Sequence, residues 1–175
     1  MRKLFVGCAA IATLVAAGCL PDPPDKYRSF FALPMGQDSD SLLTYPVEDQ
    51  VDIYVWAMTE RHPPRMHLAD ALAKNGLTLV MPVREKLSQA KDEPTQFALI
   101  YALESLACAS HDLRRDKPLI AQIETVVQQM DAGYWKDRGG EALRRIQGEL
   151  SCGLTEEEMR KQIGQLRARL DSHRK

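Results

Sequence analysis

Six apolar residues, Leu119, Ile120, Ile123, Val126, Val127 and Met130, stand at offsets of 0, 1, 4, 7, 8 and 11. A helix of 3.6 residues per turn gathers those offsets onto one face, whereas a strand would scatter them over both. The pattern recurs along the chain. Val51, Tyr54, Val55 and Met58 repeat it, and Ile53, Trp56 and Ala57 add a second apolar side, which predicts a helix at the centre of the fold. Leu68, Ala71 and Leu72 predict a short helix closed by Asn75-Gly76, with the glycine at C′. Further helices are expected over residues 77–90 with Pro82 in the first turns, from Asp92-Glu93-Pro94 to about residue 110, from Asp116 with Pro118 in the first turn, and over about residues 140–152. Leu79-Val80-Met81 is a short strand candidate. The expected class is all-α. With 45% apolar residues the chain can build a core, which excludes disorder throughout. A formal charge of −1 gives no field to attract nucleic acid, and no nucleic-acid partner is expected.

The N-terminus has a different character. Met1-Arg2-Lys3 precedes an uncharged run over residues 4–17, which closes in Ala16-Ala17-Gly18-Cys19. Fourteen residues are too few to span a bilayer, which takes roughly 20, and a basic start before a short apolar run is the layout of a secretory signal. The segment resembles a bacterial lipoprotein signal with its lipobox, although Ala16 stands where that family usually has Leu. The resemblance implies cleavage before Cys19, acylation of Cys19 and residence in the bacterial cell envelope. Leu20, in place of the Asp that tends to retain such proteins at the inner membrane, favours the outer membrane, facing the periplasm. The alternative is an ordinary signal that leaves a soluble protein beginning at Cys19. On the lipoprotein reading residues 1–18 are the signal peptide and the mature net charge becomes −3.

Residues 19–46 hold five prolines, Pro21, Pro23, Pro24, Pro34 and Pro46, and Pro21-Asp22-Pro23-Pro24-Asp25 cannot be helical. They read as an extended tether carrying the lipidated cysteine, with Phe30, Phe31 and Leu33 tacking it onto a helical domain of residues 47–175.

Residues 79–87 lead through Asp92-Glu93-Pro94 into Thr95-Gln96-Phe97-Ala98-Leu99-Ile100-Tyr101-Ala102-Leu103-Glu104-Ser105-Leu106. This resembles one HEAT-like repeat, with Gln96 where an Arg is usual and Leu99 where a small residue is. Leu99, Ala102 and Leu106 recur 44 residues on as Leu143, Ile146 and Leu150, a period within the range of such repeats. The resemblance implies a small HEAT-like helical stack; a non-repetitive helical bundle is the alternative. Cys108 and Cys152 are one period apart, at the ends of equivalent helices. Such helices lie about 8–10 Å apart, so the pair is expected to form a disulfide in an oxidising compartment, the alternative being two separate buried thiols.

Other candidates are weaker. Glu60, His62 and His67 match no strong zinc pattern, and neither metal nor cofactor is expected. His111 suits a helix C-terminus. Ser110-His111-Asp112 has the residue types of a catalytic triad, but adjacent side chains diverge. Tyr134-Trp135-Lys136, read as a loop after Gly133, is either a cap over the core or a partner contact through Tyr134 and Trp135. Thr155-Glu156-Glu157-Glu158 reads as a capping box flanked by Leu154 and Met159. The stripe Met159, Ile163, Leu166 and Leu170 is expected to cap the last repeat, or else to pair between chains as a coiled coil. The basic residues Arg160, Lys161, Arg167, Arg169, Arg174 and Lys175 suit either a solvated face or anionic envelope polymers and head groups.

The function these features point to is a membrane-anchored envelope lipoprotein acting as a protein-binding or scaffold module, not an enzyme. Its expected partners are the bilayer, through Cys19, and an envelope protein or polymer. An envelope hydrolase with a dispersed site and a structural envelope protein are the alternatives.

Overall fold

The computed structural model describes residues 21–34, 36–109 and 111–153. Cys19, Ser110 and the capping box and stripe of residues 154–170 lie outside them, as does the rest of the basic terminus.

Among the described residues every regular element is helical. A 3-10 turn at Asp25–Tyr27 leads into α1 (Arg28–Phe31) and α2 (Asp38–Leu42). The longer helices follow: α3 (Val47–Thr59), α4 (Leu68–Ala73), α5 (Val80–Gln89), α6 (Glu93–Cys108), α7 (Lys117–Gln129) and α8 (Tyr134–Ile146). None is long and apolar enough to cross a membrane. The start signals behave as their chemistry demands. Asp92 and Asp116 cap α6 and α7, their carboxylates accepting from the N–H of Thr95 at 2.8 Å and of Leu119 at 3.0 Å, and each helix carries a proline in its first turn. Gly76, at φ 61°, supplies the left-handed turn after α4, one place beyond the expected C′, which is Asn75 after the C-cap Lys74. The strand candidate is instead the junction where a 3-10 turn, Gly76–Leu79, runs into α5.

Two boundaries differ from the sequence expectation. The last described helix begins at Tyr134 rather than near residue 140, and ends at Ile146. Gly139-Gly140 looks like a break in sequence, but Gly139 packs tightly on the end of α7: a Cβ there would sit 3.3 Å from Val127 and 3.5 Å from the Met130 sulfur.

The larger difference is at the tether. Residues 25–34 and 36–45 are part of the folded body, with Tyr27 2%, Phe30 1%, Phe31 6% and Leu42 0% exposed. Of the described residues before it, 21–24 have no helical structure. The reason is tertiary. Helices of four or five residues have no stability of their own, and Phe30, Phe31 and Tyr45 meet edge to face in the core cluster, while Phe31 also lies against Trp56 of α3.

The central helix is α6, not α3. Ala98, Leu99, Ile100, Ala102, Leu103 and Leu106 are all inaccessible, and α6 packs on α3, α4, α5 and α8. A helix apolar on every side must be enclosed. In one layer α4 lies against α6 and α6 against α8; in the other α3 lies beside α5. Arg84 on α5 and Gln122 on α7 exchange hydrogen bonds, with Gln122 donating to the Arg84 carbonyl at 3.0 Å. Each helix of the second layer also packs on its successor in the chain, giving the pairs α3/α4, α5/α6 and α7/α8. Between layers, the buried Tyr54 hydroxyl donates to the Ala98 carbonyl at 2.9 Å.

Candidate binding face on α6 and α8

The glycine at 133, at φ 151°, turns the chain so that α8 opens on Tyr134 and Trp135. They belong to the first helical turn, not to a loop. Lys136, next in line, donates to the carbonyls of Gln128 and Met130 at 3.0 and 2.8 Å, holding this turn against the end of α7. The two aromatics then part. Trp135 packs on the core, its ring 5.4 Å from Phe97, while Tyr134 stays 65% exposed with its ring 4.9 Å from Trp135. Phe97 in turn lies 5.9 Å from Tyr101. Four rings from two helices thus form a continuous run, open to solvent at Tyr134.

The run continues into charge. Glu104, one turn beyond Tyr101, is nearly buried and accepts from Arg145 of α8 at 2.9 Å. Burial pushes the Glu104 carboxyl above its ordinary range, and Arg145 pulls against it. The Tyr101 hydroxyl is raised as well, first by burial and then by the Glu104 charge. Arg138 and Glu141 pair at 2.6 Å on the same helix. Aromatic rings with arginines beside them are the composition of binding hot spots.

Cys108 and Cys152 meet, with Cα atoms 5.3 Å and sulfurs 2.17 Å apart. The link ties the end of α6 to the chain beyond α8, where Arg145 also donates to the Ser151 carbonyl at 3.3 Å. Beside it lies a concavity of about 220 Å³ walled by His111, Arg114, Arg145 and Cys152. His111 packs against Gly76, where a Cβ would stand 3.4 Å from its ring.

The metal candidates do not converge. His67 Nε2 lies 3.0 Å from Asp38 Oδ2, and Arg65 donates to the same oxygen at 2.9 Å. Gly36 N–H donates to Asp38 Oδ1 at 3.1 Å. Among the described residues no three His, Cys, Asp or Glu side chains stand together as a metal site.

A second ionic group sits where the chain enters the body. The Tyr27 hydroxyl donates to Asp49 at 2.6 Å and lies 3.2 Å from Asp52; Lys26 bridges both carboxylates, and Lys86 of α5 closes the group on Asp52. Hydrogen bonds from Tyr27 and then Lys26 hold Asp49 below the usual carboxylate range, and burial raises the Tyr27 hydroxyl. Two shallow hollows of about 230 and 260 Å³ both border the Asp52–Lys86 pair, the first lined also by Pro82 of α5 and the second by Pro24.

Of the residues singled out in sequence, the fold brings Cys108 to Cys152 and Tyr134 to Trp135. Sequence reasoning missed Phe97, Tyr101, Glu104 and Arg145. Phe97 and Tyr101 are spaced i, i+4, which signals a shared face, but nothing local tells which face or which partner.

No family model matches the chain, and no curated protein or solved structure is significantly similar to it.

Proposed function

We propose that this protein is a lipoprotein of the bacterial envelope, anchored through acylated Cys19, whose helical domain binds an envelope protein or polymer. The observation that carries the reading is the aromatic run Tyr134–Trp135–Phe97–Tyr101 leading to the Glu104–Arg145 pair, on two helices braced by a disulfide. Rigid rings beside a desolvated charge pair are how a small face binds with specificity. We further infer a stack of the HEAT kind: α3/α4, α5/α6 and α7/α8 succeed one another, with α4, α6 and α8 in one layer.

The test places a photocrosslinking residue at Tyr134 in cells making the full chain, with the same residue at Lys74 as the control. A discrete adduct at 134, absent at 74 and lost when Arg138 and Glu141 are both changed to Ala, is expected. Adducts that do not distinguish 134 from 74 would overturn the binding face.

A further inference from the structure

The two sulfurs of the disulfide are not equally open to attack. Cys152 is exposed, in the chain beyond the end of α8, whereas Cys108 is half-buried as the last residue of α6. Cys152 also forms part of the wall of the concavity of about 220 Å³, to which α6 contributes Ala107 and not Cys108. A reagent entering that hollow meets the Cys152 side of the bond.

The hollow leans to positive charge. Its lining carries Arg114, Arg145, Asp112 and His111. Arg145 is committed to Glu104 and to the Ser151 carbonyl. Arg114 is less committed: its Nε donates to Asp112 at 2.9 Å, and among the described residues its two terminal nitrogens donate to nothing. Asp112 is shared with Arg115, 3.5 Å away, so one carboxylate faces two guanidinium groups and a positive charge is left over. The Arg114 side chain lies across Gly148, where a Cβ would stand 3.0 Å from its Nη1 and 3.1 Å from its Cδ. That contact sets the guanidinium against the chain four residues before Cys152.

We propose that Cys152 is a site of thiol–disulfide exchange with small thiols that carry a carboxylate, which Arg114 receives. The attacking species in such exchange is a thiolate, and a cationic, exposed setting draws it in. The thiolate sulfur of the incoming molecule bonds to the Cys152 sulfur. The Cys108–Cys152 bond breaks, its electron pair leaves on Cys108, and Cys108 takes a proton from water. The products are a mixed disulfide at Cys152 and a thiol at Cys108, and the incoming thiol is the only co-reactant. Cys108 ends α6, where the helix dipole disfavours an anion. That slows its departure, and it also keeps the released sulfur protonated and a poor nucleophile for the return, so the adduct persists.

The experiment exposes the full chain, unreduced and without denaturant, to mercaptopropionate, mercaptoethanol and cysteamine in turn. These thiols are anionic, neutral and cationic, and each rate is divided by the fraction of that thiol present as thiolate. Samples are quenched in acid and the adduct is located by peptide mass spectrometry. The adduct should sit on Cys152, and mercaptopropionate should react about tenfold faster than cysteamine at low salt, the size expected when a unit charge of either sign meets one cation at close range. Salt at about 1 M, where screening acts within about 3 Å, should remove most of that difference. Arg114→Gln should cut it to about threefold and leave the mercaptoethanol rate unchanged. Equal rates for the three thiols, an adduct on Cys108, or a preference that neither salt nor Arg114→Gln reduces would overturn the proposal. So would a bond that opens only in denaturant, or two free thiols at these positions in the untreated chain.

Discussion

Arg145 of α8 donates to Glu104 of α6 at 2.9 Å, across 41 positions of sequence, in a setting where Glu104 is almost closed to solvent. The arginine decides whether that carboxylate is tolerable. Burial alone already raises the Glu104 pKa. A raised acid pKa means that the folded state prefers the protonated form, so this group costs stability as pH rises past its unfolded value and costs nothing below it.

Arg145→Met should therefore cost about 3 kcal/mol at pH 7, the range for leaving one buried partner of an ion pair. Most of that loss should vanish at about pH 4, where Glu104 takes up a proton. Adding Glu104→Gln should recover most of it at pH 7. Urea unfolding of the three proteins at both pH values reads the effect, and equal losses at the two would contradict it.

Asp38 carries the opposite sign. Burial is the strongest influence and pushes its carboxyl up, but His67, the Gly36 N–H and Arg65 together outweigh it and hold the pKa below normal. A depressed pKa gives stability that is present above the unfolded value and lost as pH falls through the folded one. Asp38→Asn should thus destabilise the parent at pH 6 and narrow the gap between them as the pH drops below about 4. Asp38→Ala, which strands the largely covered Arg65 guanidinium, should cost about 3 kcal/mol. Thermal unfolding across pH 2.5–6 checks both.

The disulfide closes a loop of 44 residues. Cross-linking a chain of that length removes denatured-state entropy worth about 4 kcal/mol before any strain is subtracted. Cys108→Ser with Cys152→Ser should lower the unfolding midpoint correspondingly, and reductant should do the same to the parent but nothing to the double variant. Thiol titration of denatured, unreduced protein should find no thiol at either position.

Phe30 and Tyr27 test where the body begins. If residues 19–46 were a tether, Phe30→Ala would be silent. With Phe30 1% exposed and in contact with the rings of Phe31 and Tyr45, it should cost about 3–5 kcal/mol. Tyr27→Phe keeps the ring and removes the hydroxyl between Asp49 and Asp52, and should cost about 1 kcal/mol. Chemical denaturation of both variants decides between tether and body.

What sequence could reveal here depended on length. Helices α3, α6 and α7 each carry at least three turns of apolar period, and α6 and α7 carry an Asp cap followed by proline, so their existence and limits were legible. α1 and α2 are too short to show any period, and prolines on either side of them resemble a spacer. Their burial is decided by Trp56, Tyr45 and the core, far along the chain. The Gly139-Gly140 pair misled for a related reason: one of those glycines serves a contact with α7 that no local signal contains. Cys108 and Cys152 were paired on a 44-residue spacing that put each at the end of a helix; the two do meet, but Cys152 lies in the chain beyond α8, which ends at Ile146. Glu104 and Arg145 have nearly the same separation, 41, but as one acid and one base among many they carried no mark.

The two aromatics at the start of α8 give the last prediction, because they separate stability from recognition. Trp135 is half-buried against Phe97 and belongs to the core, so Trp135→Ala should cost about 3 kcal/mol and lower binding only as a consequence of the weaker fold. Tyr134 is 65% exposed, donates no hydrogen bond among the described residues and rests the edge of its ring on Trp135. Tyr134→Ala should change the unfolding free energy by less than about 0.5 kcal/mol, as surface substitutions do. On the proposed binding reading, this exposed ring is the part of the face offered to a partner. Tyr134→Ala should then weaken partner capture at the exposed position 137, read with a photocrosslinker there, at least about tenfold, the loss of a hot-spot side chain. Tyr134→Phe, which keeps the ring, should retain most of the capture if the contact is apolar and lose it if the hydroxyl makes the bond. Undiminished capture by Tyr134→Ala, with stability also unchanged, would remove this residue from the binding face and leave the α6/α8 surface to its charged pairs.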